Sequence, residues 1–367
     1  MKFGVLQFFS WPERRVAIET VYERALQRIE IMDRTGYDAV WLAEHHFHSF
    51  SVCPSVHMMG VQVAARTRRL RIGTAVSLAA FYHPLRLAEE VALLDVLSGG
   101  RVNWGAGRGF DRTEFRAFGV PQEESASRFQ EAVEVVLRAW TTDRLTYDGT
   151  YFRCDGIEVL PKPLQKPHPP VWLAASSPDA IRRAAAAGFT IMMDPHSTHR
   201  EIAGKRELYR AALEAAGLTI AGREVPMARL LAIAPTESAA EETARRGARW
   251  LVDSYAGPQH QSLTGVIGFG VAAGQRAAPV DPVERYLDGV VLWGTPEAIV
   301  DEIARLREEM FLDYLLCAPL PVREGDPFFS TPIGDSARSS SHPRDDDPRA
   351  RGGTPVARLE RYLESVG

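Results

Sequence analysis

The chain has 367 residues, of which 45% are hydrophobic and 25% are charged, and its formal net charge is −4 at pH 7. These values are typical of a soluble globular protein with a full-sized core, and they give no electrostatic reason to expect nucleic acid or an anionic membrane as partner. No apolar run reaches the about 18 residues of a membrane span, and no signal-peptide pattern is present. The cysteines Cys53, Cys154 and Cys317 are far apart, so we expect no disulfide framework and a cytoplasmic location.

Short apolar segments alternate along the chain with longer segments of helical period. The segments that predict strands are, in chain order, Phe3–Phe9, Asp38–Glu44, Arg71–Ser77, Arg101–Gly107, Val171–Ala175, Thr190–Met193, Met227–Ala234 and Asp313–Ala318. Apolar spacing, starts and stops predict the helices Ala17–Thr35, Ser55–Ala65, Pro84–Leu97, Phe129–Trp140, Pro178–Ala187, His199–Ala216, Ser238–Val252 and Thr295–Met310. Eight strand–helix alternations predict a parallel sheet, and the count favours a closed (β/α)₈ TIM barrel over an open doubly wound sheet.

Two stretches interrupt this alternation and predict insertions after the fourth and seventh strands. Thr141–Pro170 is rich in turn residues and proline, and Gly257–Pro282 is rich in glycine, alanine and glutamine. Because structureless loops longer than about 15 residues are usually functional or disordered, we interpret the second stretch as a mobile active-site loop. Residues 334–367 are polar and predict a partly disordered tail, which leaves one barrel domain over residues 1–333.

The end of the predicted second strand carries a histidine cluster, at the position where a (β/α)₈ barrel places catalytic groups. The segment runs from Glu44 through His45 and His46 to His48. A metal site needs further ligands at other strand ends, and the ends of strands five and eight offer alanine, serine and one cysteine. We therefore expect no metal. The remaining interpretations are an acid–base histidine oriented by Glu44 and a hydrogen-bonded structural pair.

Two other strand ends carry groups that suit a phosphate. Gly107 and Gly109 flank Arg108 after strand four, which leaves room for a ligand against the backbone beside a fixed positive charge. Ser176 and Ser177 precede a proline that opens a helix, where free N–H groups and the helix dipole favour an anion. Since strands four and five are neighbours in such a barrel, these groups can converge on one phosphate. No glycine-rich dinucleotide fingerprint follows the first strand.

Seven motifs, in this order, resemble the bacterial luciferase family of flavin-dependent oxidoreductases over residues 1 to about 319. They are Met1–Gly4, Trp41–Phe47, His83–Glu90, Leu94–Arg101, Gly105–Gly109, Phe115–Val120 and Trp293–Glu297. The Glu-His-His-Phe form and the arginine–glycine segment are closer to the branch of the family that uses FMN. The resemblance implies a two-component monooxygenase, to which a separate flavin reductase supplies reduced FMN.

The resemblance also implies roles for individual residues. His45 matches the catalytic histidine of the family, and Glu44 and His46 would set its tautomer and position. The residues matched to flavin contacts are Arg108, Arg128, Ser176, Ser177, Met192 and a non-proline cis peptide at Ala75 and Val76. The residues expected to line the substrate pocket are Phe8, Phe9, Trp11, Phe47, Phe81, Phe110 and Met192. The implied reaction uses O₂, by way of a C4a-peroxyflavin, to oxygenate a small apolar or carbonyl-containing molecule, in a homodimer.

One departure and two alternatives limit what the resemblance implies. Gly107 stands where luciferases carry a reactive cysteine, so light emission does not carry over. Some relatives use the deazaflavin F420 for hydride transfer without oxygen, although the Glu44-His45-His46 segment disfavours that cofactor here. Luciferase-like chains also persist as non-catalytic subunits, and the retained His45 and Arg108 argue against that role.

Overall fold

The structure is a computed structural model that describes residues 1–256 and 281–320, except for the side chains of residues 255 and 256. The strands are β1 (Lys2–Gln7), β2 (Ala39–Leu42), β3 (Arg71–Thr74), β4 (Ser77–Leu78), β5 (Val102–Gly107), β6 (Leu145–Asp148), β7 (Arg153–Ile157), β8 (Val171–Ala174), β9 (Thr190–Met192), β10 (Met227–Ile233), β11 (Val291–Gly294) and β12 (Tyr314–Pro319). The helices are α1 (Ile18–Thr35), α2 (Val56–Arg66), α3 (Pro84–Leu97), α4 (Arg112–Ala117), α5 (Ser125–Thr141), α6 (Pro178–Ala186), α7 (His199–Ala215), α8 (Glu237–Ala256), α9 (Pro282–Gly289) and α10 (Pro296–Met310).

Eight parallel strands form the central barrel, in the order β10, β12, β1, β2, β3, β5, β8 and β9. The circuit closes where Met193, directly after β9, forms a parallel bridge with Met227 at the start of β10. Parallel neighbours need a crossover connection, which the intervening helices supply. The predicted (β/α)₈ TIM barrel is therefore confirmed.

Local signals in the sequence explain which face of α1 is buried and where the helix ends. Val21, Ala25, Ile29 and Met32 recur at helical spacing, and all four are buried against the barrel. Gly36 follows the helix with a φ of 83°, and its N–H bonds to the carbonyl of Met32. This left-handed position ends the helix at no steric cost only for a residue without a Cβ atom.

Aromatic side chains fill the interior of the barrel. The Trp41 indole N–H donates to the Tyr314 hydroxyl at 2.9 Å, and the Trp41 ring meets Trp172 edge-on at 5.2 Å between centroids. A Cβ atom on Gly73 would lie 2.3 Å from the Trp41 ring, so a glycine is required beside it. Because the interior is packed, ligands are expected at the carboxyl ends of the strands.

The predicted third strand is divided in two by a cis peptide bond between Ala75 and Val76. Residues before it form β3, which pairs with β2 and β5, and residues after it form the short β4, which pairs with β5 alone. The cis peptide that the family resemblance implies at this position is present.

The structure corrects the sequence analysis in three places. The stretch after the fourth barrel strand contains an antiparallel hairpin of β6 and β7, and the Glu131 carboxylate accepts three backbone N–H groups at its turn. Pro282, expected to end an irregular stretch, is the first residue of α9. The strand β11 was not predicted, because four residues are too few for a clear alternation; it pairs in parallel with β10.

Residues 257–280 and the predicted tail, 334–367, lie outside the described residues, so the domain boundary at residue 333 stays a prediction. Within the described ranges, no helix combines the length and apolar character that a membrane crossing requires. The same ranges contain no group of histidine, cysteine, aspartate and glutamate residues that could hold a metal ion.

Candidate active site

The histidine cluster lies directly after β2, at the barrel mouth. Glu44 is buried, and its Oε1 atom lies 3.2 Å from Nε2 of His46. The Tyr82 hydroxyl donates to Oε2 of the same carboxylate at 3.2 Å. Glu44 therefore contacts His46, whereas the sequence interpretation assigned it to orient His45.

A second buried carboxylate, Glu114 of α4, is the one that approaches His45. Its Oε1 atom accepts the backbone N–H of His46 at 3.0 Å and lies 3.7 Å from Nδ1 of His45. The sequence analysis did not single out Glu114. Its position in a helix that opens directly after the Gly107–Gly109 segment is a signal that could have found it, because that helix starts at the barrel mouth.

Aromatic rings surround the His45 imidazole, which is 13% exposed. Phe8 stacks on it at 6.2 Å between centroids, and Phe50 and Phe110 meet it edge-on at 4.9 and 6.1 Å. Phe9, also expected in the pocket, is fully buried and packs against Tyr22 of α1. His45 therefore lies in a mainly apolar pocket from which much water is excluded.

At the strand ends beside the cis peptide, Gly105 and Gly107 have no room for a side chain. The Thr74 hydroxyl donates to the Gly105 carbonyl at 2.7 Å and accepts the Gly105 N–H at 2.9 Å. A Cβ atom on Gly105 would lie 1.9 Å from the Thr74 carbonyl oxygen, and one on Gly107 would lie 2.3 Å from Val76 Cγ2. The space beside Gly107 is therefore taken by Val76. Met192 is buried in the barrel, and its Cε atom would lie 3.3 Å from a Cβ atom on Gly105.

The groups expected to bind phosphate follow two strands that are paired, since Ala106 of β5 lies opposite Leu173 of β8. Arg108 is exposed and makes no hydrogen bond or ion pair with any residue that the structure describes. Ser177 caps α6, and its Oγ atom accepts the Ala180 N–H at 3.2 Å. Its hydroxyl proton is therefore available to a ligand oxygen. This donor set suits a phosphate group.

Arg128 differs from Arg108, because protein groups already engage it. Its Nε atom donates to Glu124 at 2.9 Å, and its guanidinium group lies over the Tyr151 ring at 4.4 Å. Among the residues matched to phosphate contacts, the geometry therefore favours Arg108 over Arg128.

A buried polar cluster behind Ser176 was not predicted. The Asp194 carboxylate accepts from Ser176 at 3.2 Å and from Lys205 at 2.7 Å. Burial alone would raise the pKa of Asp194, but the Lys205 ammonium and the Arg229 guanidinium hold it well below its ordinary value. His196 lies 3.0 Å from the Tyr286 hydroxyl, and burial lowers its pKa to about 4, so it is neutral at pH 7.

The fold and this site together place a histidine and a buried carboxylate beside an anion-suited strand end, at one mouth of an α/β barrel. The family model for luciferase-like monooxygenases matches residues 1–313. The chain therefore belongs to the luciferase-like monooxygenase family.

Three comparisons illustrate the similarity. The oxygenase component of a flavin-dependent trigonelline monooxygenase from Acinetobacter baylyi is 28% identical over 53% of this chain and 54% of that protein. The crystal structure of monooxygenase RslO1 from Streptomyces bottropensis is 29% identical, with a TM-score of 0.74 over 87% of this chain and 92% of that one. The oxygenating constituent of 3,6-diketocamphane monooxygenase from Pseudomonas putida, a complex with FMN, is 19% identical, with a TM-score of 0.73 over 89% and 93%.

These comparisons differ in what they show. The third similarity shows the fold alone, because its identity is low. The chain spans 50% to 59% of the length of three curated relatives that it matches. Activity, substrate and partners of this chain are therefore treated as proposals.

Proposed function

We propose that this protein is the oxygenase component of a two-component monooxygenase. A separate flavin reductase would supply reduced FMN, and O₂ would oxygenate a small apolar or carbonyl-containing molecule. The observation that carries the proposal is the presence, at one barrel mouth, of the His45–Glu114 pair and an exposed Arg108 that no described residue engages. The name of the Acinetobacter baylyi relative, an oxygenase component, supports the proposal of an oxygenase that works with a separate reductase.

The flavin phosphate would be held at the ends of β5 and β8. Arg108 offers a planar guanidinium group that donates two parallel hydrogen bonds to phosphate oxygens. Ser177 offers its hydroxyl proton, and the first turn of α6 adds the positive end of a helix dipole. The Ser176 hydroxyl is already directed to Asp194, so we assign Ser176 a supporting part.

Bound reduced FMN would supply the electrons that activate O₂, and the chain would control protons and water around it. The Glu114 carboxylate, 3.7 Å from Nδ1 of His45, favours a proton on that nitrogen. Nε2 of His45 is then free to accept a proton from a reacting oxygen and to return it. Glu44 and His46 would hold the backbone of this turn. Phe8, among the rings around the imidazole, would restrict the entry of water.

Aromatic residues on the rim of the mouth suit an apolar substrate. Phe47 is 62% exposed and contacts Phe118 at 5.4 Å between ring centroids. Phe81 also contacts Phe118, at 5.0 Å between ring centroids. Exposed aromatic rings beside a catalytic pocket provide apolar contact area for a ligand. These rings support the proposal of a small apolar or carbonyl-containing substrate, whose apolar part they would contact.

We also propose a homodimer that pairs through α2 and α3. These two helices are packed together, and each exposes large apolar side chains that no described residue covers. The exposed residues are Met58, Val61, Leu93, Val96 and Leu97. Several large apolar side chains exposed on two packed helices favour an interface, and pairing of identical copies is the commonest arrangement.

The cysteines support the proposal of a cytoplasmic location. Cys53, Cys154 and Cys317 are all free thiols. Burial raises the pKa of both the Cys53 and the Cys317 thiol to about 12. Three unpaired cysteines are typical of a reducing compartment.

The test is oxygen-dependent turnover with reduced FMN against a panel of aldehydes, ketones and aromatic compounds. We expect the wild-type protein to form an oxygenated product, and His45→Ala to lose that product while it still binds FMN. Tight binding of F420 without binding of FMN would replace this proposal with hydride transfer. Binding of neither cofactor, together with stable pairing to a catalytic homologue, would indicate a non-catalytic subunit.

A further inference from the structure

Three side chains from different parts of the barrel wall form a buried hydrogen-bonded row that the proposed chemistry does not use. Nε2 of His57, on α2, lies 2.9 Å from the Ser77 hydroxyl, and Nδ1 of the same ring lies 3.1 Å from the Glu90 carboxylate on α3. Ser77 is fully buried and His57 nearly so, whereas Glu90 reaches the surface and pairs there with Arg86 at 2.7 Å.

The protonation states of the row follow from its ends. The hydrogen bond from His57 is the main reason that the pKa of Glu90 is lowered, so Glu90 is ionised and accepts the Nδ1 proton. Nε2 of His57 then carries a lone pair and accepts the Ser77 hydroxyl proton. Serine, histidine and glutamate in this order resemble a nucleophilic triad. Because Ser77 is fully buried, no substrate reaches its oxygen, and the row is a support and not a hydrolytic centre.

The row holds a segment that connects both halves of the candidate active site. Ser77 begins β4, which pairs with β5 at Ala106, next to the Gly107–Gly109 turn. Tyr82, five residues later, donates to Glu44, and its ring meets the His57 ring edge-on at 5.6 Å between centroids. His57 therefore touches both ends of residues 77–82. One end lies beside the proposed flavin site, and the other supports the histidine turn.

We propose that His57 is a positioning residue that holds residues 77–82 and thereby sets the affinity of the barrel mouth for flavin. The affinity part of this inference rests on the proposed function. The first part, that His57 holds the segment, does not depend on any cofactor. Replacing His57 by phenylalanine leaves the Ser77 hydroxyl buried without a partner, which is costly in an apolar environment.

The experiment measures two quantities on the full-length chain. The Phe81 amide donates to the Leu78 carbonyl, and the Ala79 amide donates to the carbonyls of Ser77 and Gly107. Hydrogen exchange of these two amides reports whether the segment is held in the flavin-free protein. Flavin fluorescence reports the dissociation constant for FMN. For His57→Phe we expect faster exchange at both amides and an about tenfold weaker affinity for FMN. His57→Gln can still donate to Glu90 and accept from Ser77. We therefore expect it to restore most of the amide protection and most of the affinity for FMN.

A double-mutant cycle and a matched control separate this role from a general loss of stability. Ser77→Ala should weaken FMN binding less than His57→Phe does, and the two together should do no more than His57→Phe alone. Glu90→Gln, at a partly exposed position, should give a smaller effect in the same direction. Glu89→Gln, one residue earlier on α3 and exposed, should change neither quantity.

The outcomes distinguish the two proposals. Unchanged amide exchange in both His57→Phe and Glu90→Gln, relative to Glu89→Gln, would overturn the inference even if FMN binds. Additive effects of His57→Phe and Ser77→Ala would also overturn it. A wild-type chain that binds no FMN would remove the proposed function and the affinity part with it. If His57→Phe still exchanges faster than that wild-type chain at both amides, the holding role of His57 is supported.

Discussion

The close approach of Val76 to Gly107 makes a specific prediction about packing at the barrel mouth. A Cβ atom at residue 107 would lie 2.3 Å from Val76 Cγ2 and 3.3 Å from Val76 Cβ. Since carbon atoms in contact stay about 3.5–4.0 Å apart, one of them must move by about 1.2–1.7 Å. Val76 is β-branched and lies between β3 and β4, so a rotamer change does not relieve the overlap easily. We expect Gly107→Ala to lower the free energy of unfolding by about 1–3 kcal/mol.

The same geometry predicts that a second substitution relieves this cost. Val76→Ala removes the clashing methyl group, and alone it should cost about 1 kcal/mol because Val76 is only partly buried. The Gly107→Ala/Val76→Ala double variant should therefore be about as stable as Val76→Ala alone. Gly105→Ala is different, because its Cβ atom would lie 1.9 Å from the backbone oxygen of Thr74. We expect it to cost about 3 kcal/mol or more, without rescue by Val76→Ala.

Urea unfolding followed by circular dichroism and tryptophan fluorescence measures these free energies. Gly204→Ala is the matched control, because Gly204 is an exposed residue inside α7 with no atom within 4 Å of its Cβ position. It should gain up to about 1 kcal/mol from helix propensity. If Gly107→Ala is as stable as Gly204→Ala, or if the Val76→Ala cost adds to that of Gly107→Ala, the proposed overlap is wrong.

Three further predictions concern the site and its surroundings. Arg108→Ala should weaken FMN binding by about 10–100-fold, because a charged hydrogen bond is lost, and Arg128→Ala should weaken it less. Flavin fluorescence measures both affinities. Equal effects would refute the ranking of Arg108 above Arg128 as the phosphate contact. Glu114→Gln keeps the acceptor for the His46 N–H but removes the charge beside His45, so product formation should fall by about 10²-fold while FMN affinity stays unchanged; turnover equal to wild type would exclude the carboxylate. Burial lowers the pKa of His196 to about 4 from an ordinary 6.5, so the unfolded state binds a proton between these values that the folded state does not. Stability should therefore fall as the pH falls from 6.5 to 4, and His196→Gln should reduce that slope by up to about 1.4 kcal/mol per pH unit in urea titrations; an unchanged slope would show that this histidine is not buried in its neutral form.

The sequence predicted the barrel because its evidence is local and repeated. The buried face of α1, the glycine after that helix and the Ser177-Pro178 start of α6 each act within about one helical turn. Repetition of such signals along the chain was enough to count the strand–helix units. The barrel rule then placed His45, Arg108 and Ser176 at one mouth before any contact was known.

Local signals do not predict contacts between residues far apart in the chain, because these contacts depend on side-chain directions that become defined only when the barrel closes. Spacing in the sequence suggested that Glu44 orients His45, yet Glu44 contacts His46, and the carboxylate near His45 comes from Glu114 on another element. Gly107 suggested an open space beside the backbone, and Val76 fills it. The sequence by itself thus determined the architecture and the end of the barrel that carries the site. Only the tertiary structure decided which carboxylate meets which histidine, because that choice depends on packing between segments far apart in the chain.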